Sequence, residues 1–370
     1  MSNVSSYIRD HALDAMRIAG QKVGAGRDRA IAVFNPYTSE QIGSVPKATL
    51  DEVRETYAKA HAYQPRLTRF ERAAILNKAA AAVRSRTAEI AALITAESGL
   101  CLKDSTYEAG RVADVLMFGA LEVLKDDGQT FSCDITPHGR QRKVYTQRDP
   151  LLGVITAITP FNHPMNQVAH KVVPSVATNN RMVLKPSEKV PLSALLFADI
   201  LYEAGLPPEM LSVVTGDPRE IADELLTNPH VDLITFTGGV AIGKYIASKA
   251  GYRRIVLELG GNDGLRGLPP DDMRANLEQM VAMSAQSKAR VLLVGMALPP
   301  NYGMAYTTAF SRVYADTVRQ HRISFVPLLM AGFEADRRYF QADGLHPTAA
   351  AQGMMRDTVS KPLLPLLKTR

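Results

Sequence analysis

Tryptophan is absent from this chain of 370 residues, cysteine occurs only twice, and aromatic residues make up 6%. Cys101 and Cys133 form no CxxC pair and no histidine cluster stands beside them, so the ligand spacing of a zinc site is missing and no metal is expected. Such sparse cysteine fits a reducing compartment, and both thiols read as small apolar fillers. No apolar run approaches the ~18 residues that span a bilayer. The first residues, with Arg9 and Asp10 early, lack the apolar stretch of a secretory signal. The expectation is a cytoplasmic protein without a membrane partner. Repeats and low-complexity linkers are also missing. A hydrophobic content of 46% beside 22% charged residues is that of an ordinary folded chain, long enough for two domains.

An excess of acidic charge is lacking too. The formal net charge of +6 suits anionic ligands such as nucleotides or phosphonates. Its one short basic stretch, Arg140, Arg142 and Lys143, reads as a solvated hairpin, and no nucleic-acid motif accompanies it.

What is present divides by period. Residues 1–30 read as a polar leader with one amphipathic helix, and Asn35-Pro36-Tyr37-Thr38 as a turn between short strands. Thr68 and Glu71 form a capping box, after which Ile75, Leu76, Ala79, Ala82 and Val83 recur at helical spacing. A second helix ends near Gly99, and a third spans about 103–123. Residues 131–149, with a Pro-His-Gly turn, predict a hairpin. Strands then alternate with helices, at 153–158, 182–184, 212–214, 233–236 and 254–259. Further helices are expected at 271–285, 306–319 and 349–366, with strands at 291–294 and 323–328. This alternation predicts an α/β fold with a parallel sheet covered by helices.

Four strand ends carry residues with chemical use. Thr159-Pro160-Phe161-Asn162-His163-Pro164 is a rigid loop whose Asn162 amide either serves as a turn or donates to an oxyanion. Lys185-Pro186-Ser187-Glu188 is either an exposed charged turn or a ribose contact. Phe236-Thr237-Gly238-Gly239 opens a helix, where free backbone N–H groups favour an anion. Glu258 closes the last of these strands as a candidate general base. Downstream, Asp343-Gly344-Leu345-His346-Pro347 pairs a carboxylate with an imidazole, an arrangement that lets the histidine act as a general base.

In this order the first four segments resemble the aldehyde dehydrogenase superfamily over residues 1–262. Pro160 to Pro164, Val176 to Arg181, Phe236 to Gly239 and Tyr252-Arg253-Arg254 look most like phosphonoacetaldehyde dehydrogenases. The resemblance implies a Rossmann-like parallel sheet binding NAD or NADP. It implies cofactor contacts at Thr159, Lys185, Ser187, Glu188, Gly216, Phe236, Thr237, Gly238 and Gly239. Asn162 would stabilise the tetrahedral intermediate, Glu258 would activate water, and Arg111 and His163 would contact an anionic aldehyde. The family's catalytic cysteine follows the Leu-Glu-Leu-Gly-Gly strand, yet no cysteine follows Cys133 here. The lack of the family's C-terminal oligomerisation strand argues against its homo-oligomer.

Residues from about 256 to the end resemble instead the C-terminal half of GDSL or SGNH hydrolases of the arylesterase, thioesterase and lysophospholipase group. The likeness rests on Gly264-Leu265-Arg266-Gly267-Leu268, Leu298-Pro299-Pro300-Asn301-Tyr302-Gly303 and Asp343 to Pro347. It implies half of a flavodoxin-like α/β fold, with Asn262 as an oxyanion donor and Asp343 and His346 as two triad members. The nucleophilic serine block of that family is missing: Thr215-Gly216-Asp217-Pro218 has proline where serine is needed. The expectation is a chimera joined within Leu257–Asp263, domains 1–262 and 263–370, each without its nucleophile.

Overall fold

A computed structural model describes residues 2–24, 27–125, 128–139, 143–146, 149–251, 253–258, 267–286, 290–298, 302–340 and 347–368. By packing, the chain forms two units, Met1–Thr235 and Phe236–Arg370.

The first unit opens with helix α1 (Ser2–Asp10) and strands β1 (Ala15–Ile18) and β2 (Gln21–Gly24). A separate pair, β3 (Ala30–Phe34) and β4 (Gln41–Pro46), is antiparallel. The turn joining it is the expected one, with the Asn35 side chain accepting from the Tyr37 and Thr38 amides. Four helices follow: α2 (Leu50–Ala62), α3 (Arg69–Ser85), α4 (Thr87–Ser98) and α5 (Leu102–Val123). Thr68 and Glu71 form the capping box predicted for α3. Gly99 ends α4 at φ +75, a conformation glycine enters without strain. The hairpin pairs β5 (Gln129–Ser132) with β6 (Lys143–Thr146), antiparallel and within a few residues of expectation.

Alternation then begins as predicted: β7 (Val154–Ile158), α6 (Pro164–Ala177), β8 (Met182–Lys185), α7 (Leu192–Glu203), β9 (Leu211–Val213), α8 (Pro218–Thr227) and β10 (Val231–Thr237). In the first unit the strand order is β10-β7-β8-β9-β1-β2. β7, β8 and β9 are parallel.

Two expectations need correction here. The sheet is mixed, because β1 pairs antiparallel with β9 and β2 with β1. Nor are residues 1–30 a polar leader, since every residue of β1 is buried. Within β1 even Arg17 is buried. Its guanidinium is fully buried, donating to both carboxylate oxygens of Asp199 at 2.6 Å and to the Ala15 carbonyl. Paired and bonded in this way, a charge can lie inside a sheet.

One apolar cluster runs through this unit, from Ile8 and Leu13 through α3–α5 to α6, α7 and the sheet. Two further polar ties hold it. Arg181 donates to five backbone carbonyls, those of His61, Tyr63, Leu151, Leu152 and Gly153. Asn179 ends α6 at φ +60, with its side-chain amide on the Pro65 and Leu67 carbonyls.

The second unit contains α9 (Val240–Lys249), β11 (Arg254–Glu258), α10 (Pro270–Gln286), β12 (Leu292–Val294), α11 (Met304–His321), β13 (Ser324–Val326) and α12 (Gln352–Lys368). These agree with the predicted elements to within a few residues. β12 and β13 are parallel, with α11 as the crossover. A smaller cluster of Met273, Leu277, Met280, Phe310, Val313 and Tyr314 forms its core. Ser284 is buried on α10. Among the described residues no helix is long and apolar enough to cross a membrane.

Candidate functional site

The parallel register sets the site in the first unit. Ile158 of β7 lies opposite Lys185 of β8, and the Thr159 amide donates to the Lys185 carbonyl at 3.3 Å. The loops that leave the two strands therefore start side by side at the carboxyl edge of the sheet. Open α/β sheets bind ligands at such edges.

Lys185 is 4% exposed, and its Nζ donates to Glu188 Oε2 at 2.9 Å. Burial pushes the Glu188 carboxyl up, but the Lys185 charge and hydrogen bond outweigh it and leave the group below the ordinary carboxylate range. Ser187 is buried, and its Oγ accepts from the Lys189 amide at 3.3 Å. Among the described residues the buried Thr159 hydroxyl has no hydrogen-bond partner, which is costly unless a ligand supplies one. Lys189 Nζ stands 4.8 Å above the exposed Phe161 ring. Asn162 is exposed at the tip of the same loop.

The loop after β9 completes the edge. Gly216 is buried, and an added Cβ would come within 2.7 Å of Ile221. Asp217 caps α8, with Pro218 at the first helical position, where its missing N–H costs nothing. Hydrogen bonds from the Arg219 side chain and backbone hold the Asp217 carboxyl far below its usual range. Asp217, Pro218 and Arg219 line an open groove of about 580 Å³ with Ala30, Ile31, Lys47 and Glu188.

Of the groove residues, sequence reasoning named Glu188 and missed Lys47, Asp217 and Arg219. The Asp-Pro helix start was a usable signal for Asp217. Lys47 reaches the groove from β4 by tertiary packing alone.

Of the expected substrate contacts, Arg111 lies on α5 and His163, just before α6, reaches Glu108 of α5. His163 Nδ1 lies 3.3 Å from Glu108 Oε2, and Glu108 is 1% exposed. Arg111 stands one turn further along the helix, its guanidinium 6.0 Å from the Tyr107 ring centre. The cysteines differ from expectation: Cys101 is exposed at the cap of α5 and Cys133 is half-buried, so neither fills the core. Each lies at the end of an element, where its small side chain is not drawn inward.

The second unit carries the glycine turn. Phe236 and Thr237 are buried, and Gly238 leaves no room for a Cβ against the Phe236 ring. Gly239 has open space around it and begins α9 without a side-chain cap of its own, a helix start whose dipole favours an anion. The Glu258 side chain, Tyr252, Arg140, Arg142, Asn262, Asp343 and His346 lie outside the described residues, as does most of the 257–263 run.

Parallel strands β7, β8 and β9, with the candidate residues on their carboxyl-end loops, define an α/β protein whose sheet edge suits a ligand. The aldehyde dehydrogenase family matches residues 23–289, and the chain belongs to it. A 3-sulfolactaldehyde dehydrogenase of Priestia aryabhattai is 40% identical over 231 residues, 62% of this chain and 48% of that protein. A sulfoacetaldehyde dehydrogenase of Neptuniibacter caesariensis is 34% identical over 248 residues, 66% of this chain and 54% of the relative. The chain thus spans about half the length of these curated relatives. Among solved structures, NADP-dependent glyceraldehyde-3-phosphate dehydrogenase from Bacillus halodurans, complexed with NADP, aligns with a TM-score of 0.64. That alignment is 28% identical and covers 82% of this chain and 64% of that one. Lactaldehyde dehydrogenase from Escherichia coli aligns with a TM-score of 0.61 at 32% identity, covering 67% and 52%.

Proposed function

We propose that the chain binds a nicotinamide dinucleotide, NAD or NADP, and turns over aldehydes negligibly on its own. The Lys185–Glu188 pair beside the open groove carries this reading. One cationic donor and one carboxylate acceptor, 2.9 Å apart, match the needs of a ribose diol. The unpartnered Thr159 hydroxyl, Ser187 and the tight approach at Gly216 support it. In the second unit, taken by itself, Thr237, Gly238 and Gly239 lead into the start of α9, a helix end that favours a pyrophosphate. Bound there, the dinucleotide supplies a hydride acceptor.

Asn162 donates to a developing oxyanion and Glu258 serves as the base. Arg111 and His163 suit an anionic aldehyde of the phosphonoacetaldehyde kind, and the sulfonated aldehydes named for the relatives point the same way. The chain holds no thiol beyond Cys133 to form the covalent adduct. Removing such a nucleophile costs roughly several powers of ten in rate.

The missing thiol follows from a chimera in which an aldehyde dehydrogenase portion, 1–262, meets the C-terminal half of an SGNH hydrolase domain, 263–370. This is a boundary of origin, distinct from the packing division at 235/236. A second reading, an esterase or thioesterase using Asp343, His346 and Asn262, is favoured by the Asp343-Gly344-Leu345-His346-Pro347 spacing and still requires a nucleophile.

Titrating NADH and NADPH into the purified chain tests the main reading. Saturable binding that weakens in Lys185→Ala supports it, and absence of binding rejects it. Aldehyde-dependent NADH formation would overturn the claim of negligible turnover. Ester hydrolysis abolished by His346→Ala would establish the second reading.

A further inference from the structure

Two strand-end loops of the first unit, those after β7 and β8, are each tied at their far end by a buried carboxylate from another helix. After β7, the chain enters α6, whose Met165 and Asn166 amides both donate to Glu108 Oε1 at 2.9 Å. After β8, it enters α7, whose Leu192 and Ser193 amides donate to the two oxygens of Glu97 at 2.8 and 3.0 Å. Glu97, on α4, is 2% exposed and Glu108, on α5, is 1% exposed. A helix start is ordinarily capped by the residue just before it. Here those residues, His163 and Pro191, make no side-chain cap bond. Both caps come instead from the helical layer.

We propose that Glu97 and Glu108 are positioning residues for the dinucleotide loops, and that proton uptake by Glu97 makes nucleotide affinity depend on pH; this rests on the dinucleotide reading above. An ionised carboxylate accepts on both oxygens, whereas a protonated one turns one oxygen into a donor and gives up an amide. Glu188 lies four residues before Leu192. The turn between them is short and closed, with the Val190 amide on the Ser187 carbonyl at 3.2 Å. Release of the first amide of α7 is therefore passed to Ser187 and Glu188.

Burial pushes the Glu97 carboxyl up to about 7, against the hydrogen bonds from Ser193 and Leu192 that pull it down. The Glu108 charge on α5 adds to the rise, and His163 is the next titratable group beyond Glu108. Affinity therefore increases as pH rises through 7. Stability runs the other way. A carboxyl raised in the fold favours the folded chain below its unfolded value of about 4.3, and that contribution is lost as pH rises through the folded value.

NADH titrations of the full chain at about pH 6 and pH 8 test the coupling. The expected result is affinity about fivefold tighter at the higher pH, with Glu97→Gln fixed near the weaker value at both. The same pH dependence in Glu97→Gln overturns the coupling. Nuclear magnetic resonance of the unsubstituted chain gives a second readout that needs neither variant nor nucleotide. The Leu192 and Ser193 amide shifts should follow one glutamate carboxyl titrating near 7, and amides that ignore it overturn the clamp. No NADH binding at either pH, with those amides still following the carboxyl, would reject the dinucleotide reading and support the clamp.

Discussion

The two units of this chain solve the same problem with different means. The first buries one apolar cluster that joins helices and sheet, and sets hydrogen-bonded buried charges such as Arg17 and Arg181 into it. The second relies on a smaller cluster around Phe310, Val313 and Tyr314, and its ion pairs lie nearer the surface. In the first unit a candidate side chain can be traced through a named bond to a buried partner, as Glu188 is to Lys185 and His163 to Glu108. In the second only the glycine turn at 236–239 can be placed, and there the backbone supplies the chemistry. A site built from charged side chains needs the first kind of frame, whereas one built from helix N–H groups needs only a helix start.

Two arginines probe that contrast most strongly. Arg181→Ala removes a buried guanidinium and leaves five backbone carbonyls without their donor, and should cost about 3–5 kcal/mol in urea unfolding. Arg274→Ala in the second unit breaks a pair with Asp316 that is about a third exposed on each side, and should cost at most about 1 kcal/mol. Equal losses would break the comparison. Lys185→Ala removes a donor at the groove and should weaken NADH binding about tenfold in a fluorescence titration. Thr68→Ala deletes the capping box of α3 and should lower stability by about 1 kcal/mol, read from the thermal midpoint.

The smallest effect is on acid sensitivity. The His61 ring stacks on His230 at 4.2 Å, and burial holds its imidazole below the ordinary histidine range, helped by the charges of His230 and Arg181 and opposed by Asp232. A depressed base stabilises the fold above the unfolded value of about 6.5, and that contribution is lost as pH falls through the folded value. His61→Phe should flatten the fall in thermal midpoint between about pH 7 and pH 5. An unchanged slope would remove His61 from the account.

What could be read in advance follows the range of the forces involved. Thr68 and Glu71 announce their helix because a capping box is local. The same pattern at Thr49 and Glu52 was equally legible and starts α2, which the reading of hydrophobic periodicity passed over. The alternation after residue 150 was plain because each element repeats a local period. The burial of Arg17 was not legible, because its partner, Asp199, lies 182 residues away. Lys47, Glu97 and Glu108 were invisible for the same reason, since their roles exist only once separate helices and strands meet. The strand-end residues of the candidate site stood out through their order along the chain, but the groove beside them did not.

Asn179 narrows what evolution can do at the end of α6. Its left-handed backbone is entered cheaply by glycine and asparagine and at a cost by most other residues. Glycine would keep the bend but release the Pro65 and Leu67 carbonyls that the asparagine amide holds. Each alternative thus fails on a different count, backbone or side chain. Drift at this position is confined to one residue, and a change there must be preceded by a rebuilt 65–67 segment.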